Sequence, residues 1–154
     1  MCSSDLQKDR YHIIGSDIFV ICRRLVVVVQ MLPLARMALK TLSSDKPIAV
    51  QIQMLEKWAG RHWRRTMPIE RAAQAAVDAA RLLGRCERAC LPVSFILFAI
   101  LTAMRQRPSI VIGVKRNQGQ LAGHAWVEID GIAIMCPGAQ ANDADFKLLY
   151  RYPA

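Results

Sequence analysis

The spacing of apolar positions divides the chain into a helical first part and a strand-rich second part. Apolar residues recur at helical spacing in four segments, at about 18–42, 48–63, 68–83 and 90–104. Pro33 predicts a break in the first segment, because a proline inside a helix removes a backbone hydrogen bond. Residues 1–10 are mostly polar, and we expect them to fray.

The period changes after residue 108. β-Branched residues and alternation predict three successive strands, over 109–115, 121–129 and 132–136. Asp130-Gly131 is typical of a two-residue hairpin turn, while a three-residue loop with a glycine bulge stays open as the alternative. Residues 146–152 are a candidate for a further strand. Helices followed by a meander of strands predict an α+β fold.

This pattern also suggests how the chain is organised. We interpret residues 1–66 as an N-terminal helical region and residues 67–154 as the core, and we expect the two to form one compact unit.

The fourth helical segment is apolar on almost all sides, which is typical of a buried helix. Pro92 places its start near Cys90, because proline is tolerated in the first turn of a helix. A thiol at that end meets the positive end of the helix dipole, which stabilises its thiolate. Cys90 is therefore a candidate nucleophile, and the alternative is a small core residue.

Composition limits the classes of function. The chain of 154 residues is 53% hydrophobic and 21% charged, which is typical of a globular protein. Its five cysteines lack the spacing of a disulfide scaffold, and residues 2–10 do not resemble a secretory signal, so we expect reduced thiols in the cytoplasm. Charges and Pro33 interrupt the apolar segment 18–42, so we expect a packed helix without stable membrane insertion.

The net charge of +9 favours an anionic partner such as an acidic peptide. With 6% aromatic residues, not interleaved with basic ones, the sequence does not favour a nucleic-acid partner. The Arg61–Arg65 run and the series Arg81, Arg85 and Arg88 are interpreted as solvated faces, with peptide guidance or partner binding as the alternative. No phosphate loop, dinucleotide motif or carboxylate cluster is found, and we expect no cofactor.

His124 lies in the run Gly-His-Ala-Trp-Val-Glu on the second predicted strand. A single histidine on a strand is commonly structural, but Cys90 precedes it on a helix. A cysteine nucleophile needs an imidazole that forms the thiolate and then protonates the leaving amine. The backbone N–H of Cys90 is a candidate oxyanion donor. This order is that of papain-like chemistry in its transglutaminase-type arrangement.

These residues resemble a known family. The resemblance is carried by Cys90-Leu91, Ser94, Ile112-Gly113-Val114, His124-Ala-Trp-Val-Glu128 and Asp130-Gly131. They look like the lasso peptide biosynthesis B2 proteins, which are transglutaminase-like cysteine peptidases. The resemblance is best over residues 72–131.

The resemblance implies a papain-like, transglutaminase-type core that removes the leader from a lasso-type ribosomally made precursor peptide. Cys90 would be the nucleophile, and His124 the general base and acid. The implied partners are the leader region of the precursor, a separate small leader-binding protein and a lasso cyclase.

One position departs from the family pattern. The family places an acid about a dozen residues after the histidine, where it orients the imidazole, and this slot here holds Cys136. A neutral thiol is a poor acceptor for an imidazole N–H. Glu128 is expected to lie too far along the strand, and Asp143 or Asp145 would have to fold back. The sequence therefore predicts a Cys–His dyad, a triad with an atypical third member, or a weakened or inactive enzyme.

Two other classes of function use the same residues. Cys86, Cys90, His124 and Cys136 form a set of the kind that holds structural zinc in a tetrahedral site. The other alternative is a non-catalytic scaffold whose basic surface binds the precursor or a partner protein. Zinc content tests the first alternative, and the reactivity of Cys90 towards a thiol probe tests the second.

Overall fold

The computed structural model describes residues 5–62, 66–85, 90–117, 120–134 and 146–153. In these residues four helices precede a four-stranded antiparallel sheet. The helices are α1 (Asp5–Leu42), α2 (Ile48–His62), α3 (Ile69–Leu82) and α4 (Cys90–Ala103). The strands are β1 (Pro108–Asn117), β2 (Gln120–Ile129), β3 (Ile132–Ala133) and β4 (Lys147–Tyr152). This order confirms the predicted α+β fold.

Helix α4 lies at the centre of the fold. Ten of its 14 residues are buried, and Phe95, Ile96 and Leu97 are 0% exposed. The helix contacts α1, α2 and α3 as well as β1 and β2. Its apolar sequence is thus matched by burial on all sides, and the prediction of a buried helix that begins at Cys90 is confirmed.

Helix α1 continues past Pro33, so the predicted break is wrong. Pro33 removes the hydrogen bond to the carbonyl of Val29. Both residues are exposed, so water can reach that carbonyl, whereas Met31, Leu34 and Ala35 are buried in the core. The packing of the buried face therefore holds the helix together across the proline.

Helix α1 also begins earlier than expected. It starts at Asp5, so the fraying predicted for residues 1–10 is wrong for residues 5–10. An acid near a helix N-terminus is favourable to the dipole, and Leu6, Gln7 and Lys8 are good helix formers.

By length and composition, the segment Arg24–Leu42 of α1 is long and apolar enough to cross a membrane. This differs from the expectation that charges and Pro33 interrupt the apolar segment. However, 39% of the segment is buried inside the protein. Met31, Ala35 and Ala38 are 0% exposed and belong to the same core as α4. One face of this segment thus packs in the core, while Leu25, Val26 and Val29 on the rest of its surface are exposed.

Helices α2 and α3 complete the helical layer. Pro68 precedes α3, and Gly84 follows it with a φ of 71°, a left-handed conformation that glycine adopts readily after a helix. The core side of α3 consists largely of alanines, whose small side chains allow close packing against α1 and α4. The division of the chain at residue 66 stays a prediction.

The sheet has the strand order β3-β2-β1-β4. The connection between β2 and β3 is the two-residue alternative, because Ile129 pairs with Ile132. Asp130 and Gly131 have φ values of 51° and 78°, as this kind of turn requires.

Strand β3 is shorter than the predicted 132–136. It ends at Ala133, although the N–H of Ile134 still donates a 2.8 Å hydrogen bond to the carbonyl of Val127. Residues 135 and 136 lie outside the described part of the chain.

Strand β4 confirms the candidate strand at 146–152 and pairs with β1 on the side away from β2. The Tyr152 hydroxyl donates a 2.7 Å hydrogen bond to Glu56 of α2, and the Tyr152 ring meets Phe98 edge-on. Burial, together with the Glu56 carboxylate, raises the pKa of Tyr152 to about 12. These contacts of Tyr152 connect β4 to helices α2 and α4.

We expect Tyr152 to make stability fall at alkaline pH. Its folded-state pKa lies above its ordinary value of 10.0, so its contribution is present below pH 10.0 and is lost as the pH rises towards about 12. Urea unfolding at several pH values between 8 and 11 measures the decline. Tyr152→Phe should decline less steeply than the wild type, and Tyr150→Phe on the same strand is the control. Equal slopes in all three proteins would contradict the prediction.

Candidate active site

Cys90 is the first residue of α4, where it is half-buried and carries a free thiol. Pro92 lies within the first turn, as the sequence predicts. The N–H groups of a first helical turn have no acceptor within the helix, and the dipole there favours negative charge. An oxyanion at the mouth of α4 would therefore meet donors of the right polarity.

Ser94, one turn further along α4, connects this helix to β2. Its buried hydroxyl donates a 2.9 Å hydrogen bond to the carbonyl of Ala125. Alternate carbonyls of a strand point to the same side, and the carbonyl of Val127 points towards β3, where it accepts from Ile134. The carbonyl of Ala125 therefore also points away from β1, so Ser94 of α4 reaches β2 at its outer edge.

This contact brings the two predicted catalytic residues to one region of the fold. Cys90 precedes Ser94 by one turn, about 6 Å along the helix axis. His124 is the chain neighbour of Ala125, the residue that Ser94 bonds. The helix end with the thiol and the strand with the imidazole are thus joined by a direct hydrogen bond.

The His124 side chain projects from the face of β2 that is turned away from the helices. Ala125 and Val127 are buried and point towards the helical core, and successive strand residues alternate between faces. His124 and Trp126 therefore share the opposite face. A contact between the imidazole and the thiol has to form around the outer edge of β2, where Ser94 of α4 meets this strand.

Three rings pack together on this face. The imidazole of His124 stacks on Trp126, with centroids 5.7 Å apart and planes 20° apart. Its centroid lies 5.1 Å from that of Phe146, and the Trp126 and Phe146 centroids are 6.4 Å apart. The Lys115 ammonium lies 4.5 Å from the Phe146 centroid. The imidazole is thus in contact with two aromatic rings.

Glu128 fixes the indole of this cluster. The Trp126 Nε1–H donates a 2.8 Å hydrogen bond to Glu128 Oε1, and Arg151 Nη2 of β4 lies 2.9 Å from Glu128 Oε2. Glu128 is 7% exposed, whereas Arg151 reaches it from the solvent-exposed side of β4. The expectation from strand geometry placed Glu128 too far from His124 to orient it directly, and Glu128 instead bonds the indole on which His124 stacks.

Gly113 of β1 pairs with His124 and makes room for the rings. A Cβ atom at this position would lie 2.8 Å from Phe146 Cβ and 3.1 Å from the Trp126 ring. Real Cβ atoms essentially never approach another atom so closely, so the cluster requires a glycine here.

Sequence reasoning did not assign Trp126 and Phe146 to this cluster. The spacing of two residues from His124 to Trp126 and on to Glu128 is the signal that places all three on one face of a strand. Phe146 carries no such local signal, because it reaches the cluster from a distant part of the chain.

Several predicted site residues lie outside the described part of the chain. Among them are Cys136, which occupies the orienter slot, and Cys86, together with Asp143 and Asp145. In the residues that the structure describes, no three His, Cys, Asp or Glu side chains are grouped so that they could hold a metal ion. Two members of the proposed zinc set are not among them, so that alternative stays a prediction.

The basic groups are described in part. Arg61, Arg81 and Arg85 are exposed, which agrees with their interpretation as a solvated face. Arg81 lies 3.7 Å from Asp78 of the same helix. Residues 63–65 and Arg88 fall outside the described ranges.

A buried helix that begins with a cysteine, packed on an antiparallel sheet that carries a histidine, is a cysteine-protease-type arrangement. Residues 20–151 match the transglutaminase-like superfamily. The chain therefore belongs to the transglutaminase-like superfamily, which generally includes cysteine peptidases and transferases. No curated protein and no solved structure matches the chain significantly.

Ser94→Ala should lower the free energy of unfolding by about 1–3 kcal/mol, because the buried carbonyl of Ala125 loses its donor. The control is Ser43→Ala, which removes a hydroxyl that bonds the Leu39 carbonyl at the exposed end of α1. We expect that change to cost less than about 0.5 kcal/mol. Urea unfolding measures the free energy of unfolding of both variants. Equal losses would show that the hydrogen bond between α4 and β2 stabilises the protein no more than a hydrogen bond at the end of α1 does.

Gly113→Ala should destabilise the protein by about 1–3 kcal/mol, because Phe146 or the Trp126 ring must shift to admit the methyl group. Gly123→Ala is a matched control on the paired strand, since a Cβ there meets nothing within 4 Å. Urea unfolding reports the loss, and near-ultraviolet circular dichroism reports the aromatic packing. Wild-type spectra and stability in Gly113→Ala would contradict the close approach.

Proposed function

We propose that this protein is a cysteine peptidase that removes the leader from a lasso-type ribosomally made precursor peptide. The observation that carries the proposal is the hydrogen bond from Ser94 to Ala125, because it holds the end of α4 that bears Cys90 against the strand that bears His124. The superfamily generally includes cysteine peptidases, which supports the class of reaction. The choice of substrate rests on the resemblance carried by the Cys90-Leu91 and His124–Glu128 motifs.

In the proposed reaction His124 takes the proton of the Cys90 thiol, and the thiolate sulfur attacks the scissile carbonyl carbon. The negative charge on the carbonyl oxygen is stabilised by the backbone N–H of Cys90 at the mouth of α4. His124 then gives its proton to the leaving amine as the C–N bond breaks, which leaves a thioester on Cys90. Water, deprotonated by His124, hydrolyses the thioester and releases the leader with a free carboxylate.

The charge of the chain suits an anionic peptide. Arg81 and Arg85 are exposed at the C-terminal end of α3, in the part of the chain that leads to Cys90. With a net charge of +9, the protein attracts an acidic segment at long range. In this proposal the protein works in the cytoplasm with a separate small leader-binding protein and passes the core peptide to a lasso cyclase.

The test is incubation with a matching precursor and its leader-binding partner, followed by mass spectrometry of the products. Cys90→Ala and His124→Ala should each lower cleavage by at least about 10³-fold, because each removes one half of the reacting pair. Cys136→Asp should raise cleavage or leave it unchanged, since a carboxylate is the better acceptor for an imidazole N–H.

Cys22→Ala is the matched control, because Cys22 is an exposed free cysteine on α1. It should cleave like the wild type. Full cleavage by Cys90→Ala would rule out the peptidase assignment. A thiol probe that labels Cys90 no faster than Cys22 would favour the scaffold alternative, and one equivalent of bound zinc would favour the structural zinc site.

A further inference from the structure

We propose that Trp126, fixed by Glu128 and Arg151, is a positioning residue for the His124 imidazole. The inference rests on the proposed function, because it assigns a role within the same site. Trp126 acts through His124 and touches neither the substrate nor the thiol in this scheme.

Two aromatic rings contact the His124 imidazole. Trp126 stacks on it with a centroid distance of 5.7 Å, and Phe146 contacts it from a second direction at 5.1 Å. Both distances lie in the range of favourable ring pairs. The two rings flank the imidazole, and their contacts favour the orientation of its plane seen here.

The Trp126 indole is itself held in place by its neighbours. Its N–H donates to Glu128, and Glu128 is ion-paired with Arg151 on β4. The backbone of Gly113 lies directly against the indole, with no space for even a methyl group. A ring fixed by a hydrogen bond to an ion-paired carboxylate and by close packing can fix a second ring that is stacked on it.

The stacking of Trp126 on the imidazole matters in this chain because of the residue at position 136. The position at which the family pattern has an acid holds Cys136, whose thiol is a poor acceptor for an imidazole N–H. Stacking on a fixed indole orients the ring independently of the side chain at position 136. The carboxylate of Glu128 then contributes to catalysis indirectly, because it holds the indole that holds the imidazole.

The experiment compares kcat and KM for precursor cleavage in four variants. Trp126→Leu removes the stacked ring and should lower kcat by between about tenfold and a hundredfold, with KM changed less than about twofold, since misorientation affects the reacting state. Trp126→Phe keeps a stacked ring but loses the bond to Glu128, and it should restore most of the kcat. Glu128→Gln keeps an acceptor for the indole and removes the charge, so its kcat should lie between those of Trp126→Leu and the wild type.

The fourth variant, Val127→Ala, is the matched control. Val127 neighbours Trp126 on β2 but points into the helical core, so its truncation weakens the strand without touching the rings. It should lower the free energy of unfolding and leave kcat within about twofold of the wild type, as a purely structural change does.

The rate at which iodoacetamide alkylates Cys90 gives a readout that does not depend on the precursor. We expect the rate to fall several-fold in Trp126→Leu, because a displaced imidazole forms the thiolate less well. Exposed Cys22 is the internal reference, and its rate should stay constant.

Each outcome decides a separate point. If Trp126→Leu is folded and keeps the wild-type kcat, or if it loses kcat no more than Val127→Ala at equal stability, the positioning role is overturned and the proposed function stands. If the wild type fails to cleave the precursor and its Cys90 reacts no faster than Cys22, the proposed function fails, and the positioning role with it.

Discussion

The burial of α4 is the constraint on which the rest of the structure depends. A helix with apolar side chains on every side is stable in water only when other elements surround it, at about 1.5–3 kcal/mol for each large side chain removed from water. Helices α1, α2 and α3 cover one part of its surface, and β1 and β2 cover another. Ser94 is a buried polar residue of α4, and its hydrogen bond to the Ala125 carbonyl ties the helix to β2. Cys90 lies one turn before this contact, so the hydrogen bond and the packing around α4 together set its position relative to the sheet.

The two faces of strand β2 make different kinds of contact. Ala125 and Val127 belong to the core side, where apolar packing against the helices dominates. His124, Trp126 and Glu128 belong to the other side, where ring contacts, a hydrogen bond and an ion pair take over. A strand of period two can combine both because neighbouring side chains never compete for the same space. The packing that anchors the strand is therefore independent of the groups that surround the imidazole.

Much of this arrangement is predictable from the sequence, and the limits have a physical cause. The apolar run and Pro92 predict α4, and Asp130-Gly131 predicts the hairpin, because each is a local signal that the fold does not override. Pro33 shows the opposite case: a local rule predicts a break, and the packing of the buried face of α1 outweighs it. Phe146 and Arg151 come from the far end of the chain, so their contacts with β2 depend on the pairing of β4 with β1. No pattern within a short window contains that information.

The distribution of charge completes the link between the fold and the proposed reaction. Among the residues that the structure describes, three carboxylates are engaged in contacts between elements: Asp78 with Arg24 of α1, Glu56 with Tyr152, and Glu128 with Arg151 as well as with Trp126 of its own strand. Acidic side chains used in this way hold the structure together and do little to neutralise the surface, on which Arg61, Arg81 and Arg85 remain exposed. The net charge of +9 is consequently carried mainly by solvated basic groups. Such a surface attracts an acidic peptide over about one Debye length, roughly 8 Å at physiological ionic strength, before any side chain touches it. In the proposed function, attraction of the precursor and the chemistry of the site thus rely on different charges. The exposed arginines attract the precursor. The carboxylate of Glu128 instead bonds the Trp126 indole, on which the imidazole stacks.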